Sequence, residues 1–266
     1  MKTMGKGIHA TAILDGDVTL GSDVEIGPFA VVFGPATIES GTVLGPHVVV
    51  YPNTRIGQQC RLHAGAVVGD LPQDLAFDGA PSFVIIGGHT VLREGATVHR
   101  GTAANSTTQI GSHCLLMAHA HVGHDASVGD GTILCNGALI AGHVDVGPQV
   151  FVSGNAVVHQ FTRIGRLAML GGGCAASQDI PPFTTARPVA TNRLLGLNLV
   201  GLKRAGVAAA DRAALKEAFS ILTSQQPLVR KVTRLREEID TPLAHEMATF
   251  LSTSRRGVCM RRDGRS

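Results

Sequence analysis

The stretch 117-MAHAHVGHDASVG-129 sets His119, His121 and His124 close together, and Asp125 follows the last of them. Imidazoles beside a carboxylate suit two kinds of chemistry. A histidine titrates near pH 6.5 in its unperturbed state, and an adjacent carboxylate can raise that value and fix the tautomer, as a general base requires. The same side chains are also metal ligands. His143 lies eighteen residues after Asp125, next to Gly142, whose backbone N–H no side chain covers. The elements that carry these residues decide which chemistry is open to them.

Those elements are a repeat. Stepping by six from Ile8, 25 of the 28 positions up to Leu170 are Ile, Leu or Val, the exceptions being Asp74, Ala80 and Ala104. A second register four residues later is small or β-branched, and Cys60, Cys114 and Cys174 fall in it as small buried hydrophobes. Turn residues such as Gly16-Asp17, Pro52-Asn53 and Gly154-Asn155 separate the two registers. A period of six fits neither an α-helix nor an alternating strand. It predicts very short strands joined by tight corners, a parallel β-helix of hexapeptides. The segments 70–83 and 100–109 break the inward pattern and are predicted to be loops thrown out from the coil, where function tends to collect.

In this frame His124 and Asp125 occupy the third and fourth positions of one hexapeptide, a corner. If a coil holds three hexapeptides, His143 lies one layer from Asp125. His121, His124, Asp125 and His143 therefore gather on one edge, and their company favours chemistry over turn decoration. His9, His47, His89, His113 and His245 have no such company and are read as structural.

The repeat is expected to occupy residues 1–186, and residues 187–266 to form an α-helical domain. Helices are predicted over 192–206, over 211–224 with Asp211 as cap, over 226–239 and over 242–254, with a frayed end from 255. The chain has no Trp, one Tyr and 33 Gly, so its core must be aliphatic and thin. No apolar run is long enough to cross a membrane and no signal peptide is evident. Five cysteines without close pairing suggest a cytoplasmic protein. Residues 1–186 carry 8 Lys/Arg against 13 Asp/Glu, and residues 187–266 carry 15 against 7. The basic part is a candidate footprint for an acidic partner.

The motifs 72-PQDLAFDG-79, 97-TVHRGT-102, 115-LLMAHAHVGHD-125, 140-IAGHV-144, 157-VVHQF-161, 178-QDIPPF-183 and 201-GLKR-204 appear in order over nearly the whole chain. Together they resemble the bacterial UDP-N-acetylglucosamine O-acyltransferases. These move a 3-hydroxyacyl group from acyl carrier protein to the sugar 3-hydroxyl in the first step of lipid A synthesis. The resemblance implies a left-handed β-helix and a homotrimer with active sites between subunits. It implies His124 as general base, Asp125 as its orienting partner and the Gly142 N–H as oxyanion donor. It places His121, His143 and Gln160 along sugar and acyl positions, with Gln73 and Asp74 on the glucosamine. His99 and His159 would line the cleft, Gly172 would leave room for a long acyl tail, and Asn198, Lys203 and Arg204 would contact the nucleotide. It implies no cofactor, metal, nucleic acid or membrane insertion. Acyl carrier protein is acidic, which suits the basic C-terminal part.

The chain departs from the family pattern at Ala76, at 187-RPVATNR-193, at Val200 and at Ala205. All touch the sugar-nucleotide side, so the alternative of an amino-sugar acceptor stays open. A zinc hydratase of the γ-carbonic anhydrase type is the remaining alternative. It rests on the five-residue spacing of His119 and His124, but the third ligand, counted back two coils from His119, falls on Phe83.

Overall fold

The computed structural model describes residues 7–187 and 193–260. Three parallel sheets form the faces of a triangular prism. The first sheet runs from Ile13–Asp15 to Ala175–Ala176, and the second from Val18–Leu20 to Arg163–Ile164. The third runs from Glu25–Ile26 to Met169–Leu170, continues in Thr184–Arg187 and ends on the antiparallel strand Arg193–Leu197. A full coil is eighteen residues where nothing is inserted, since Val122 stands opposite Ile140 and Ile140 opposite Val158. The sixfold register from Ile26 to Leu170 is almost entirely buried, which makes a single aliphatic column.

From Gly41 onward the fourth residue of almost every corner adopts positive φ, near +58° at His47, His119, Asp125 and His143 alike. Outside glycine, this left-handed region is occupied mainly by Asn, Asp and His. Much of the histidine content is therefore a backbone requirement. The second register differs between edges. Between the third and first sheets it is mostly Ala, as at Ala66, Ala96, Ala120, Ala138 and Ala156. Between the second and third sheets it alternates Thr and Cys from Thr42 to Thr132. There Thr42, Cys60, Thr90, Cys114 and Thr132 each donate to a glycine carbonyl in the next coil. Cys60 and Cys114 are thus hydrogen-bond donors in an internal ladder as well as space fillers. Burial raises both thiols above their ordinary pKa.

Both predicted loops leave the same edge, between the first and second sheets, on successive coils. Val68 leads to Ile86 and Val98 to Ile110, so the insertions are twelve and six residues beyond the usual six. Each is a whole number of hexapeptides, which is why the repeat resumes in phase.

The C-terminal part differs from the sequence expectation in three places. Residues 193–197 pair as a strand with 184–187, and only Leu199–Arg204 is helical (α1), so the apolar stripe of 192–206 serves first an edge strand. The next helix, α2, runs from Ala209 to Thr223, and Asp211 lies within its first turn while Ala208 is the cap. The end is not frayed up to Met260. Asp179 and Val258 bridge, the Cys259 N–H donates to Asp179 O, and Val258 and Cys259 are buried. Residues 261–266 lie outside the described residues. Helices α3 (Leu228–Glu238) and α4 (Pro242–Ser252) match expectation within a few residues. Arg166 pairs with Glu246 at 2.7 Å and the Arg163 guanidinium lies 4.3 Å from the Phe250 ring, which ties α4 to the coil.

Candidate active site

The edge between the first and second sheets carries, coil after coil, the ejected loops, then His124-Asp125, then Gly142-His143, then Gln160-Phe161. At each corner the two middle residues project outward, so neighbours in sequence remain neighbours in space. His124 Nδ1 lies 3.0 Å from Asp125 Oδ2, and both side chains are nearly covered. With Nδ1 turned to the carboxylate, Nε2 is the nitrogen left for a ligand. The Asp125 carboxylate also accepts from the Thr102 N–H at 3.0 Å and the Thr102 hydroxyl at 2.7 Å, and it is hydrogen-bonded to Ser106. Burial would push its pKa up, but the bonds from Ser106, Thr102 and His124 outweigh that and hold it below the ordinary value. The Asp125 N–H donates to Thr108 Oγ1 at 2.8 Å.

His143 stands one layer below, as the eighteen-residue coil requires. Its Nε2 is 3.7 Å from Asp125 Oδ2, its ring meets His124 edge-on at 5.1 Å, and its other face stacks on Phe161 at 4.6 Å. Gly142 is required by contact. A Cβ there would run into the His124 ring. Its N–H bonds no protein acceptor among the described residues. The coil explains why: other corners put Pro28, Pro46, Pro52 and Pro148 at this third position, which proline can hold only where no N–H is needed. The repeat itself turns that amide outward.

A cleft of about 320 Å³ opens over these groups. It brings together Gln73, His99, His121, His124, Gly142 and Gln160 from the expected set, against an apolar wall of Leu139 and Val157. His121 stands on the flat of the first sheet, where Thr97 Oγ1 is 2.8 Å from its Nδ1. His99 meets it edge-on at 5.0 Å and is buried, with Nδ1 lacking a hydrogen-bond partner in the described structure. Burial lowers the pKa of His99, and burial with neighbouring imidazoles lowers His121 to about 4. Both are neutral near pH 7.

Other expected residues lie elsewhere. Asp74 turns one carboxylate oxygen back onto the Ala76 N–H at 2.9 Å. His159 is exposed, with Nδ1 3.2 Å from Gln160 O. Gly172 stands exposed at a different edge, between the third and first sheets. Asn198 caps α1, accepting from the Gly201 N–H and donating to Leu167 O at 2.9 Å. With Arg204, Asn198 lines a second cleft of about 390 Å³ on the third sheet, a different face from His124, and Lys203 is exposed beside it. The loop groups that grip Asp125, Thr102 and Ser106, escaped the sequence reading. The clue was the placement of 100–109 directly over the His-Asp corner.

The metal reading changes. His119 stands on the preceding corner, away from His124. The inserted residues put Gly95 and Gly65, not Phe83, one and two coils above it. The three groups that converge are His124, Asp125 and His143, with ligand atoms within 4.8 Å of one another.

Two family models match the chain. Residues 179–259 match the second domain of UDP-N-acetylglucosamine O-acyltransferase, and residues 35–70 and 107–142 match the bacterial transferase hexapeptide of six repeats. An acyl-[acyl-carrier-protein]–UDP-N-acetylglucosamine O-acyltransferase of Myxococcus xanthus is 41% identical over 255 residues, covering 94% of this chain and 98% of that one. A namesake from Gloeothece citriformis is 41% identical over 202 residues, 76% of this chain and 73% of its own. The Acinetobacter baumannii structure of such an enzyme superimposes with a TM-score of 0.91 at 38% identity, covering 95% of this chain and 99% of that one. The prism is accordingly the left-handed parallel β-helix, and this chain belongs to the acyl-[acyl-carrier-protein]–UDP-N-acetylglucosamine O-acyltransferase family.

Proposed function

We propose that this protein moves a 3-hydroxyacyl chain from acyl carrier protein to the 3-hydroxyl of UDP-N-acetylglucosamine, as a cytoplasmic step of lipid A synthesis. His124 Nε2 takes the proton of the sugar hydroxyl as its oxygen attacks the thioester carbonyl. Asp125 holds the ring and balances the imidazolium that forms. The Gly142 N–H receives the developing oxyanion. When the carbon–sulfur bond breaks, His124 returns the proton to the departing thiolate. No covalent enzyme intermediate is needed. The observation that carries this reading is the 3.0 Å contact between His124 Nδ1 and Asp125, with an outward amide beneath the ring.

The wall of Leu139 and Val157 suits an acyl chain. The nucleotide-facing cleft of Asn198 and Arg204 lies on another face of the same protomer. A homotrimer that sets one protomer's third sheet against the next protomer's His124 edge would bring both clefts to one substrate. Acyl carrier protein would be steered by the basic helices, more weakly as salt rises.

The test is mass spectrometry of the product from UDP-N-acetylglucosamine with a panel of acyl-carrier thioesters, in competition with the 3-amino analogue. An O-acylated sugar nucleotide is expected. Preference for the amine above about tenfold would replace the acceptor. The proposed base is checked with His124→Ala, for which turnover should fall by roughly 10²–10⁴-fold with the fold intact; near-normal turnover would remove it from the mechanism.

A further inference from the structure

Asp125 is held by far more than its histidine. Its side chain is 9% exposed and engages the Thr102 N–H, the Thr102 hydroxyl, Ser106 and His124. Three of these contacts come from the second ejected loop. That loop approaches closely enough that a Cβ on Gly101 would meet Asp125 Oδ1 and Ser106 Oγ. The loop is itself pinned at both ends. Arg100 N–H donates to Asp70 O at 3.0 Å, Asn105 N–H to Pro81 O at 2.8 Å and Phe83 N–H to Ser106 O at 2.9 Å. It is thus braced against the first loop, which carries Gln73 into the cleft. The next two corners on this edge hold His143 and Phe161 at the fourth position, not a carboxylate. A buried carboxylate needs several donors to stay ionised in one place, and charge-assisted bonds are the strongest of these.

We propose that Thr102 and Ser106 are positioning residues for the reaction: their hydroxyls fix the Asp125 carboxylate, which in turn aims His124 Nε2 at the acceptor hydroxyl. The six-residue insertion between Val98 and Ile110 is there to deliver these two hydroxyls. This deepens the proposed function and rests on the His124–Asp125 pair acting as base and orienter. Neither residue lines the cleft, so their effect falls on the chemical step and not on substrate binding.

The experiment is a steady-state comparison of Thr102→Val, Ser106→Ala and Thr102→Ser in the full-length protein, each also made in the Asp125→Ala background. Thr102→Val and Ser106→Ala should each lower kcat about tenfold, the scale of modest misalignment of a reacting group, with KM for both substrates within about twofold. Thr102→Ser keeps the hydroxyl and should restore most of kcat. In the Asp125→Ala background the same substitutions should change kcat by less than about twofold, because nothing remains to be positioned. Unchanged kcat in Ser106→Ala and Thr102→Val overturns the proposal, as does an equal loss with and without Asp125. Ser106→Ala removes one half-buried hydroxyl, so it keeps the test open if Thr102→Val fails to fold. Near-normal turnover in His124→Ala would end the dyad and this proposal together. An inactive His124→Ala beside fully active loop variants would end only the role of the loop.

Discussion

His119 and His124 sit five residues apart on consecutive corners of one coil, and their surroundings differ completely. His119 holds the left-handed position on the edge between the third and first sheets, over Gly95, with no side-chain hydrogen bond among the described residues. His124 holds the outward third position on the next edge. It is paired with Asp125, crossed by His143, floored by Gly142 and roofed by two loops. One imidazole answers a backbone demand and the other a chemical one. What separates them is not residue type or spacing but which edge carries the insertions. The repeat supplies corners of the same backbone shape along the prism; function is written on the edge where the repeat is interrupted.

The sharpest way to break this contrast, after removal of His124 itself, is Gly142→Ala. The added Cβ must displace the His124 ring or be displaced by it, and it also crowds the outward amide. A loss of about 10²-fold in kcat is expected, the scale of losing an oxyanion donor, with little change in the thermal midpoint. Alanine at equivalent third positions occurs at Ala64 and Ala118, so the coil itself tolerates a Cβ there. If kcat in Gly142→Ala stayed within a few-fold of the parent, the glycine would be a feature of the coil only.

How much of this was legible beforehand follows from the same contrast. The sixfold register gave the prism, the eighteen-residue coil and the layer relation of Asp125 to His143, because one inward position per hexapeptide leaves no choice of face. Corner placement then gave the dyad and the bare amide. The grip of Thr102 and Ser106 on Asp125 was not readable, since a loop outside the repeat has no register to place it. The same limit explains the error over Phe83: counting back by coils works only until an insertion adds residues. In the C-terminal part, 193–197 has apolar residues that suit helix or strand equally. The partner strand 184–187, a tertiary fact, decided between them.

A smaller effect distinguishes His121 from the dyad. Its folded pKa is pushed down to about 4 by burial and by the nearby His99 and His124, against an ordinary value near 6.5. A histidine whose pKa is depressed on folding binds its proton more readily in the unfolded chain. Its contribution to stability is therefore full above pH 6.5 and is lost as pH falls from there toward 4. His99, depressed in the same direction, acts in the same sense. Chemical unfolding of His121→Gln at pH 7 and pH 5 should show a smaller drop in stability than the parent, by about 1 kcal/mol after allowing for partial exposure. An identical drop would mean that His121 is charged in the fold, and its neutral place beside the base would have to be abandoned.

The smallest effect is expected at His119→Asn, which is what makes it informative. Asparagine accepts positive φ more readily than most residues with a side chain, and Asn155 already does so two coils further on this edge. If the position asks only for that backbone conformation, stability should move by no more than about 0.5 kcal/mol and kcat by less than about twofold. The measurement is a urea midpoint together with initial rates on the parent substrates. A loss on the scale of His124→Ala would mean that the corner takes part in chemistry after all, through a second protomer brought against it. The distinction between a corner that folds and a corner that reacts would then have to be drawn at the level of the assembly, not of the single chain.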